Sequence, residues 1–297
     1  MNDSLRRGSL EMIAAMLISG TIGWFVLVSG QAVLEVVFWR CAFGALTLLA
    51  ICAALGFLRR GSLTLRRFAL AVLSGLAIVG NWLLLFASYS KASIAIATAV
   101  YNVQPFMLVF LAALLLGEKL TAQKLGWLGL SFLGMLAIVS AHGGEGGAGS
   151  DYLLGIGLAL GAALLYAIAA LIIKGLAGTP PHLIALIQVT TGALLLAPWV
   201  SFTALPDQAS AWSSLLTLGV VHTGVMYVLL YGAIQKLPSA LTGALSFIYP
   251  IAAIFVDWLA FGHRLGLAQW LGVLAILLAA AGMQQGWNLG LRRLAPR

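Results

Sequence analysis

The chain has 297 residues, of which 62% are hydrophobic and 8% charged, and its mean hydropathy is +1.06. Soluble domains are roughly 45–50% apolar and about 25% charged, so this composition excludes a soluble globular protein. The net charge of +8 does not indicate a nucleic-acid partner, because the basic residues lie in short loops between apolar runs rather than on one face.

Apolar runs of membrane-spanning length follow one another along the whole chain. A helix that crosses a bilayer needs about 20 apolar residues. Short links such as Lys236-Leu237-Pro238 separate the runs. The sequence therefore predicts an all-α integral membrane protein with ten transmembrane helices, called spans 1 to 10, at residues 10–28, 33–56, 68–88, 92–115, 123–141, 152–174, 182–202, 213–235, 239–261 and 267–288.

The distribution of Lys and Arg predicts the orientation of these spans. Thirteen of the sixteen basic residues fall on the side that holds the N-terminus, whereas Lys91 and Arg264 fall on the other side and Arg40 lies within span 2. Cytoplasmic loops carry an excess of Lys and Arg. Both termini are therefore expected in the cytoplasm.

The chain carries an internal repeat with an offset of 145 residues, which relates three pairs: Lys91 and Lys236, Pro105 and Pro250, and Gly117 and Gly262. Each half holds five predicted spans, and because five is odd the second half must enter the membrane upside down. We therefore expect two inverted repeats, residues 1–145 and 146–297, that form one transmembrane domain. Inverted repeats with helices interrupted at mid-depth are typical of secondary transporters.

Each of the two prolines lies near the middle of a span, where it removes a backbone donor and frees the carbonyl four residues earlier. These carbonyls belong to Tyr101 and Ser246. Hydrocarbon tolerates such backbone only where protein or a water-filled cavity satisfies it. We expect spans 4 and 9 to flank a transport cavity, with Pro105 and Pro250 as gating hinges.

A polar stripe at helical spacing accompanies each proline. Such a stripe indicates either cavity lining or helix–helix hydrogen bonding. The stripes are Thr98, Tyr101, Asn102 and Pro105 in span 4, and Thr242, Ser246, Tyr249 and Ala253 in span 9.

Spans 4 and 9 also end in similar motifs, Gly117-Glu118-Lys119-Leu120 and Gly262-His263-Arg264-Leu265. Together with the repeat and the two prolines, these motifs resemble the drug/metabolite transporter (DMT) superfamily, EamA type, and within it the bacterial amino-acid exporters of the aromatic amino acid exporter (YddG) kind. The resemblance implies the DMT fold, a cavity lined by the first four helices of each half, and a place in the bacterial cytoplasmic (inner) membrane. His263 stands where the first repeat has Glu118, so no required carboxylate is implied there.

Further candidates for the cavity are aromatic and polar residues at mid-depth. Trp24, Trp39 and Trp82 are predicted to lie deeper than the interfacial belt that tryptophan usually occupies, and their alternative role is core packing. Asn81 lies beside Trp82, while Tyr166 and Tyr227 are candidates for the cytoplasmic half of the path.

Arg40 is the basic residue well inside a span. A charge there costs at least ~2.5–3.5 kcal/mol on insertion scales, so it requires a partner. Asp257 or Glu35 would form a structural ion pair, and alternatively Arg40 would hold a substrate carboxylate through its planar fork. Gln188 occupies the matching stretch of span 7, so the two halves differ chemically at this point.

His222, predicted at mid-depth in span 8, is either a hydrogen-bonding packing residue or, with Asp257, a candidate for proton coupling. The sequence holds no phosphate loop, metal cluster or nucleophile–base pair, so it predicts no enzyme activity, cofactor or metal. We expect a secondary transporter that exports or exchanges amino acids, with aromatic and other neutral ones as candidates, by alternating access. Its partners are a small-molecule substrate and the lipid bilayer, and a monomer is compatible with the sequence. The alternatives are a general small-metabolite or drug exporter and a non-transporting scaffold or receptor.

Overall fold

The computed structural model describes residues 3–58, 63–92, 97, 100–140, 150–202, 205–261 and 267–287. A short 3-10 turn lies at Ala197–Trp199, and a π-helical turn lies at Val220–Val225. The α-helices in chain order are α1 (Asp3–Ser19), α2 (Ile22–Ser29), α3 (Val33–Ala54), α4 (Leu65–Ala92), α5 (Gln104–Leu116), α6 (Ala122–Ser140), α7 (Ser150–Gly175), α8 (Pro181–Leu196), α9 (Ala209–Gly219), α10 (Met226–Lys236), α11 (Ser239–Ser246), α12 (Ile248–Phe261) and α13 (Leu267–Gln285).

Six helical segments of the described chain are long and apolar enough to cross a membrane, and they coincide with predicted spans 1, 2, 3, 6, 7 and 8. Leucines and tryptophans cover the exterior of the bundle; Leu65, for example, is 84% exposed and Trp199 is 74% exposed. Such side chains are favourable against lipid, where the chain must satisfy its backbone internally. The six segments are Asp3–Val26, Val33–Ala54, Leu65–Tyr89, Leu153–Gly175, Pro181–Trp199 and Ala209–Lys236.

Spans 4 and 9 are interrupted next to their prolines. In span 4 the chain turns at Asn102 and Val103, and α5 begins with Gln104-Pro105. Proline is favourable in the first helical turn because the missing N–H has no partner there in any case. In span 9 the interruption is at Phe247, between α11 and α12, so that Pro250 lies in the first turn of α12.

The two predicted polar stripes run across these interruptions. The turn at Asn102–Val103 lies between Tyr101 and Pro105, and Phe247 lies between Ser246 and Tyr249. Thr98 lies outside the described residues.

Two further interruptions were not predicted. Span 1 is divided into α1 and α2 by a turn at Gly20–Thr21, and span 8 contains the π-helical turn Val220–Val225. π-helical turns inside α-helices occur frequently at functional sites, because the extra residue displaces side chains and carbonyls from the regular ladder.

Close backbone approach between helices depends on small residues. A Cβ atom on Gly75 of α4 would lie 2.8 Å from the Cα atom of Gln188 in α8. A Cβ atom on Gly44 of α3 would lie 2.7 Å from Thr223 Cγ2 in the π-helical turn. Small residues permit such contacts in membranes, where association rests on van der Waals packing and interhelical hydrogen bonds. These contacts bring α3, α4, α8 and the π-helical turn together around one buried centre.

Candidate functional site

Arg40 lies at this buried centre, with 1% of its surface exposed. Its Nε donates a hydrogen bond to Thr223 Oγ1 at 2.8 Å, and its Nη2 donates one to the carbonyl oxygen of His222 at 3.1 Å. The guanidinium carbon lies 4.2 Å from the centre of the Trp82 ring and 5.7 Å from that of the Tyr227 ring. Cation–π contacts of this kind are worth about 2 kcal/mol when desolvated.

The acidic partner expected for Arg40 is not found in the described part of the chain. Within those residues Arg40 forms no ion pair, and Glu35 does not contact it. The side chain of Asp257 lies outside the described residues. Hydrogen bonds to a charged group contribute about 1.5–3 kcal/mol each. Two such bonds and two aromatic faces therefore hold the charge without a carboxylate.

The π-helical turn supplies both protein acceptors of Arg40. Thr223 Oγ1 donates its own hydrogen to the carbonyl oxygen of Leu218, five residues earlier, at 2.8 Å. A hydroxyl has one hydrogen, so Thr223 Oγ1 can meet Arg40 only as an acceptor. The carbonyl oxygen of His222, in the same turn, accepts from the same guanidinium.

The ring of His222 joins the turn in span 8 to the turn in span 1. Its Nδ1 lies 3.2 Å from the carbonyl oxygen of Thr217, so Nδ1 carries a hydrogen. Its Nε2 lies 2.6 Å from Thr21 Oγ1, which is also 2.8 Å from the carbonyl oxygen of Ile18. In neutral His222, Nε2 accepts from the threonine. When Nε2 is protonated, it donates to Thr21 and the threonine donates to Ile18. The site therefore accommodates both charge states.

A second hydrogen-bonded chain extends from Trp82 towards α8. Trp82 Nε1 donates to Tyr227 Oη at 3.1 Å, and the Tyr227 ring packs edge-on against Tyr231 with a centroid distance of 5.0 Å. Tyr231 Oη donates to Gln188 Oε1, and Gln188 Nε2 donates to Ser74 Oγ at 2.7 Å. Both ends of the Gln188 amide are thus occupied by protein, which favours a structural role for this residue.

Half-buried tyrosines lie beside this centre. Asn81 Nδ2 donates to the carbonyl oxygen of Ala162 at 2.7 Å and to Tyr101 Oη at 3.3 Å. The Tyr101 and Tyr166 ring centroids are 6.3 Å apart, and Tyr101, Tyr166 and Tyr249 all pack against the same buried core. Each of these three tyrosines retains exposed surface, which distinguishes them from the buried members of the group.

Other predicted site residues lie in different surroundings. Trp24 is 38% exposed and packs its ring against Phe25, whereas Trp39 stacks on Phe43 and packs edge-on against Trp212 in a separate aromatic group. The contacts of Trp39 favour its packing alternative, whereas the exposure of Trp24 shows that it is not a core residue.

Among the residues near the helix interruptions, Ser246 donates to its own helix at Thr242 O, and Asn102 is buried. Pro105 packs against Gly243 of α11. The side chains of Pro250 and Asp257 lie outside the described set.

Sequence reasoning missed Thr21, Ser74, Gln104, Thr223 and Tyr231. Tyr231 follows Tyr227 by four residues and so shares its helix face, which was a usable signal. The amide of Gln104 is different, because its buried Oε1 has no partner in the described part of the chain. Nothing in the sequence distinguished it from the neighbouring polar residues of span 4.

The described residues contain no group of three or more His, Cys, Asp or Glu side chains that could hold a metal ion. The apolar exterior and buried polar centre define a multi-pass membrane protein. The model of the EamA-like transporter family matches residues 6–140 and 153–284. The chain therefore belongs to the EamA-like transporter family, within the drug/metabolite transporter superfamily.

Known relatives are transporters by name. The chain is 30% identical over 275 residues to the uncharacterized transporter YxxF of Bacillus subtilis (strain 168), covering 92% of this chain and 88% of that protein. It is 26% identical over 290 residues to an uncharacterized transporter of Archaeoglobus fulgidus, covering 96% and 97%. A solved crystal structure superposes with a TM-score of 0.80 at 20% identity, over 92% of this chain and 96% of that one, which shows a shared fold.

Proposed function

We propose that this transporter exports or exchanges amino acids by alternating access, and that Arg40 binds their carboxylate group. The proposal rests on the hydrogen-bond donors of the Arg40 guanidinium that the protein does not use. Arginine has five N–H donors, and two of them are used by Thr223 and His222. The remaining three have no acceptor within the described residues.

A carboxylate fits the unused donors better than other common solutes. The planar fork of arginine binds a carboxylate through two parallel hydrogen bonds. The incoming negative charge would also neutralise a cation that the described part of the protein holds only with neutral groups. A phosphate or nucleotide substrate would require several buried cations, and Arg40 is the one Lys or Arg among the buried residues described.

The remainder of an amino acid would face the tyrosines. An ammonium group is attracted to the faces of aromatic rings, and Tyr101, Tyr166 and Tyr249 present accessible surface beside the buried centre. Gln104, three residues after Tyr101, has a buried Oε1 without a partner among the described residues, and we propose it as a further acceptor for this group. Because these groups are uncharged and mostly aromatic, they favour neutral substrates with apolar or aromatic side chains.

Reciprocal packing supports the proposal of two inverted repeats, residues 1–145 and 146–297, within ten spans. Helix α3 of span 2 packs on α8 of span 7, and α6 of span 5 packs on α13 of span 10. The contact of α4 with α7 has its counterpart in the contact of α10 with α1, as a two-fold axis in the membrane plane requires. In this arrangement both termini are cytoplasmic, the membrane is the bacterial inner membrane, and the interruptions near Pro105 and Pro250 act as hinges.

Counterflow in liposomes tests the proposed substrate class. Purified protein is reconstituted into vesicles preloaded with an unlabelled amino acid, and the uptake of labelled amino acids is followed at two external pH values. We expect transient accumulation of neutral amino acids, with protein-free vesicles and the lipid-facing variant Trp199→Phe as controls. Uptake of other solutes alone would show a general metabolite or drug exporter, and no uptake of any solute would support a scaffold or receptor.

A further inference from the structure

The link between α10 and α11 is short and is held at both ends by acidic residues from the first half of the chain. Only Leu237 and Pro238 separate Lys236, the last residue of α10, from Ser239, the first residue of α11. Lys236 Nζ pairs with Glu11 of α1, and Ser239 bonds to Glu118, which follows α5. We name the five side chains Glu11, Glu118, Lys174, Lys236 and Ser239 the ionic latch.

Glu118 makes three contacts with the second half of the chain. Its Oε1 lies 2.8 Å from Lys174 Nζ and accepts from Ser239 Oγ at 2.9 Å, while its Oε2 accepts from the backbone N–H of Ser239 at 3.2 Å. A carboxylate is favourable at the N-terminus of a helix, where backbone N–H groups lack partners. Lys174 also donates to the carbonyl oxygen of Leu237 at 2.8 Å, which fixes the link itself.

Glu118 is ionised in this arrangement. Partial burial would raise its pKa, but the hydrogen bond and charge of Lys174, together with the two hydrogen bonds from Ser239, lower the pKa below its usual value. The charge that holds the link is therefore present throughout the neutral pH range.

Glu11 connects α1 to the same link from the other side. A Cβ atom on Gly8 would lie 3.0 Å from both Lys236 Cβ and Leu237 Cδ2, so α1 packs directly against the link. Glu11 also pairs with Arg7 within α1, at 3.1 Å, but Arg7 is 76% exposed in its side chain and touches only its own helix in this pair. The contact of Glu11 with Lys236 joins the two halves, whereas its contact with Arg7 does not.

The internal repeat does not reproduce these acids at the opposite end. The 145-residue offset places His263 at the position of Glu118. The 142-residue offset between spans 1 and 6, which relates Trp24 to Tyr166, places Leu153 at the position of Glu11. The two acids of the latch therefore have no acidic counterparts at the repeat-related positions.

We propose that the ionic latch closes the end of the transporter that holds the N-terminus, and that it must open in each transport cycle. This inference rests on alternating access from the proposed function. Helix α11 begins in the latch at Ser239 and ends at the interruption at Phe247, next to Tyr249. Release of Ser239 and Lys236 would free the N-terminal end of this short helix, whose other end lies at the interruption, and thereby expose the tyrosines from the N-terminal side. Partly exposed ion pairs change an equilibrium by roughly two- to fivefold, which suits a gate that has to open repeatedly.

Cysteine accessibility tests the latch in the full-length protein. Cys41 and Cys52 are free and buried, and replacing both with alanine gives a background for a reporter, Ser9→Cys. Ser9 is 1% exposed and lies next to Gly8 on α1. In detergent or liposomes, we expect Glu11→Gln and Glu118→Gln each to raise the rate of maleimide labelling by roughly two- to fivefold. The exchange Glu11→Lys with Lys236→Glu is expected to restore slow labelling. Arg7→Gln, the matched control on the same helix, is expected to label like the parent.

The proposal is overturned if Glu11→Gln and Glu118→Gln label at the parent rate. It is also overturned if Arg7→Gln accelerates labelling equally or if the charge exchange fails to restore it, because either result would show general loosening of α1. Labelling does not require a substrate. An altered labelling rate in a protein without amino-acid counterflow would therefore reject the proposed substrate and retain the latch.

Discussion

Replacing Arg40 by lysine keeps the positive charge and removes the fork. Arg40 Nε bonds to Thr223 and Nη2 bonds to His222, so both acceptors already lie on one side of the guanidinium. A lysine ammonium at this position is a point charge with three donors and cannot form a bidentate pair with a carboxylate. It would also lose the planar contact with Trp82, whose ring centre is 4.2 Å away.

The expected loss follows from these contacts. One hydrogen bond to a charged partner is worth about 1.5–3 kcal/mol, which corresponds to roughly 10- to 150-fold in affinity. We expect Arg40→Lys to raise the half-saturating amino-acid concentration in counterflow by at least about tenfold, and Arg40→Gln to abolish uptake.

Expression and the size-exclusion profile of each Arg40 variant must match the parent, because a lost buried contact could also unfold the bundle. A well-folded Arg40→Lys variant whose half-saturating concentration equals that of the parent would refute the role of the fork.

Three further substitutions address the surrounding residues. Trp82→Ala and Tyr101→Ala should each cut counterflow severalfold at normal expression, since they remove an aromatic face of the site, and undiminished flux would remove them from the substrate path. His222→Gln keeps a donor and an acceptor but cannot titrate, so the difference in uptake between two external pH values should vanish; a persisting difference would place proton coupling elsewhere. The pKa of Glu118 is lowered in the folded protein, so its contacts stabilise the protein above the unfolded pKa of about 4.3. This stabilisation is lost as the pH falls through the pKa of the folded state. The melting temperature in detergent should therefore fall more steeply below pH ~4.3 in the parent than in Glu118→Gln. The corresponding difference in the free energy of unfolding is at most about 1 kcal/mol because the pair is partly exposed. Identical acid profiles would show that Glu118 contributes nothing to stability.

Six membrane spans and the two proline-linked interruptions were predictable because they depend on local chemistry. Runs of apolar residues set the length of a helix in lipid, and a proline removes a backbone donor wherever it stands. The predicted boundaries of spans 2 and 6, for example, differ from the observed segments Val33–Ala54 and Leu153–Gly175 by one or two residues.

The surroundings of Arg40 were not predictable in the same way. A buried charge implies some partner, and carboxylates were the obvious candidates in the sequence. The observed acceptors are Thr223 Oγ1 and the His222 carbonyl, and both lie in the π-helical turn of span 8. Gly44 packs against Thr223 in that turn, a tertiary contact for which the sequence gives no local signal.

Some hydrogen-bonding partners in the site are far apart in the sequence, so their contacts could not be predicted. Gln188 and Tyr231 are 43 residues apart, and Thr21 and His222 are 201 residues apart, so no spacing rule connects them. Only the fold brings these hydrogen-bonding partners together.

The carboxylate-binding role of Arg40 can be tested from the substrate side without any mutation. In the parental protein, uptake of labelled phenylalanine is measured against increasing concentrations of unlabelled phenylalanine or of phenethylamine, which has the same ring and amine but no carboxylate. Loss of one charge-assisted hydrogen bond corresponds to at least about tenfold in affinity. We therefore predict that phenylalanine competes and that phenethylamine competes at least about tenfold more weakly. Equal competition by the two compounds would contradict the assignment of the carboxylate to Arg40.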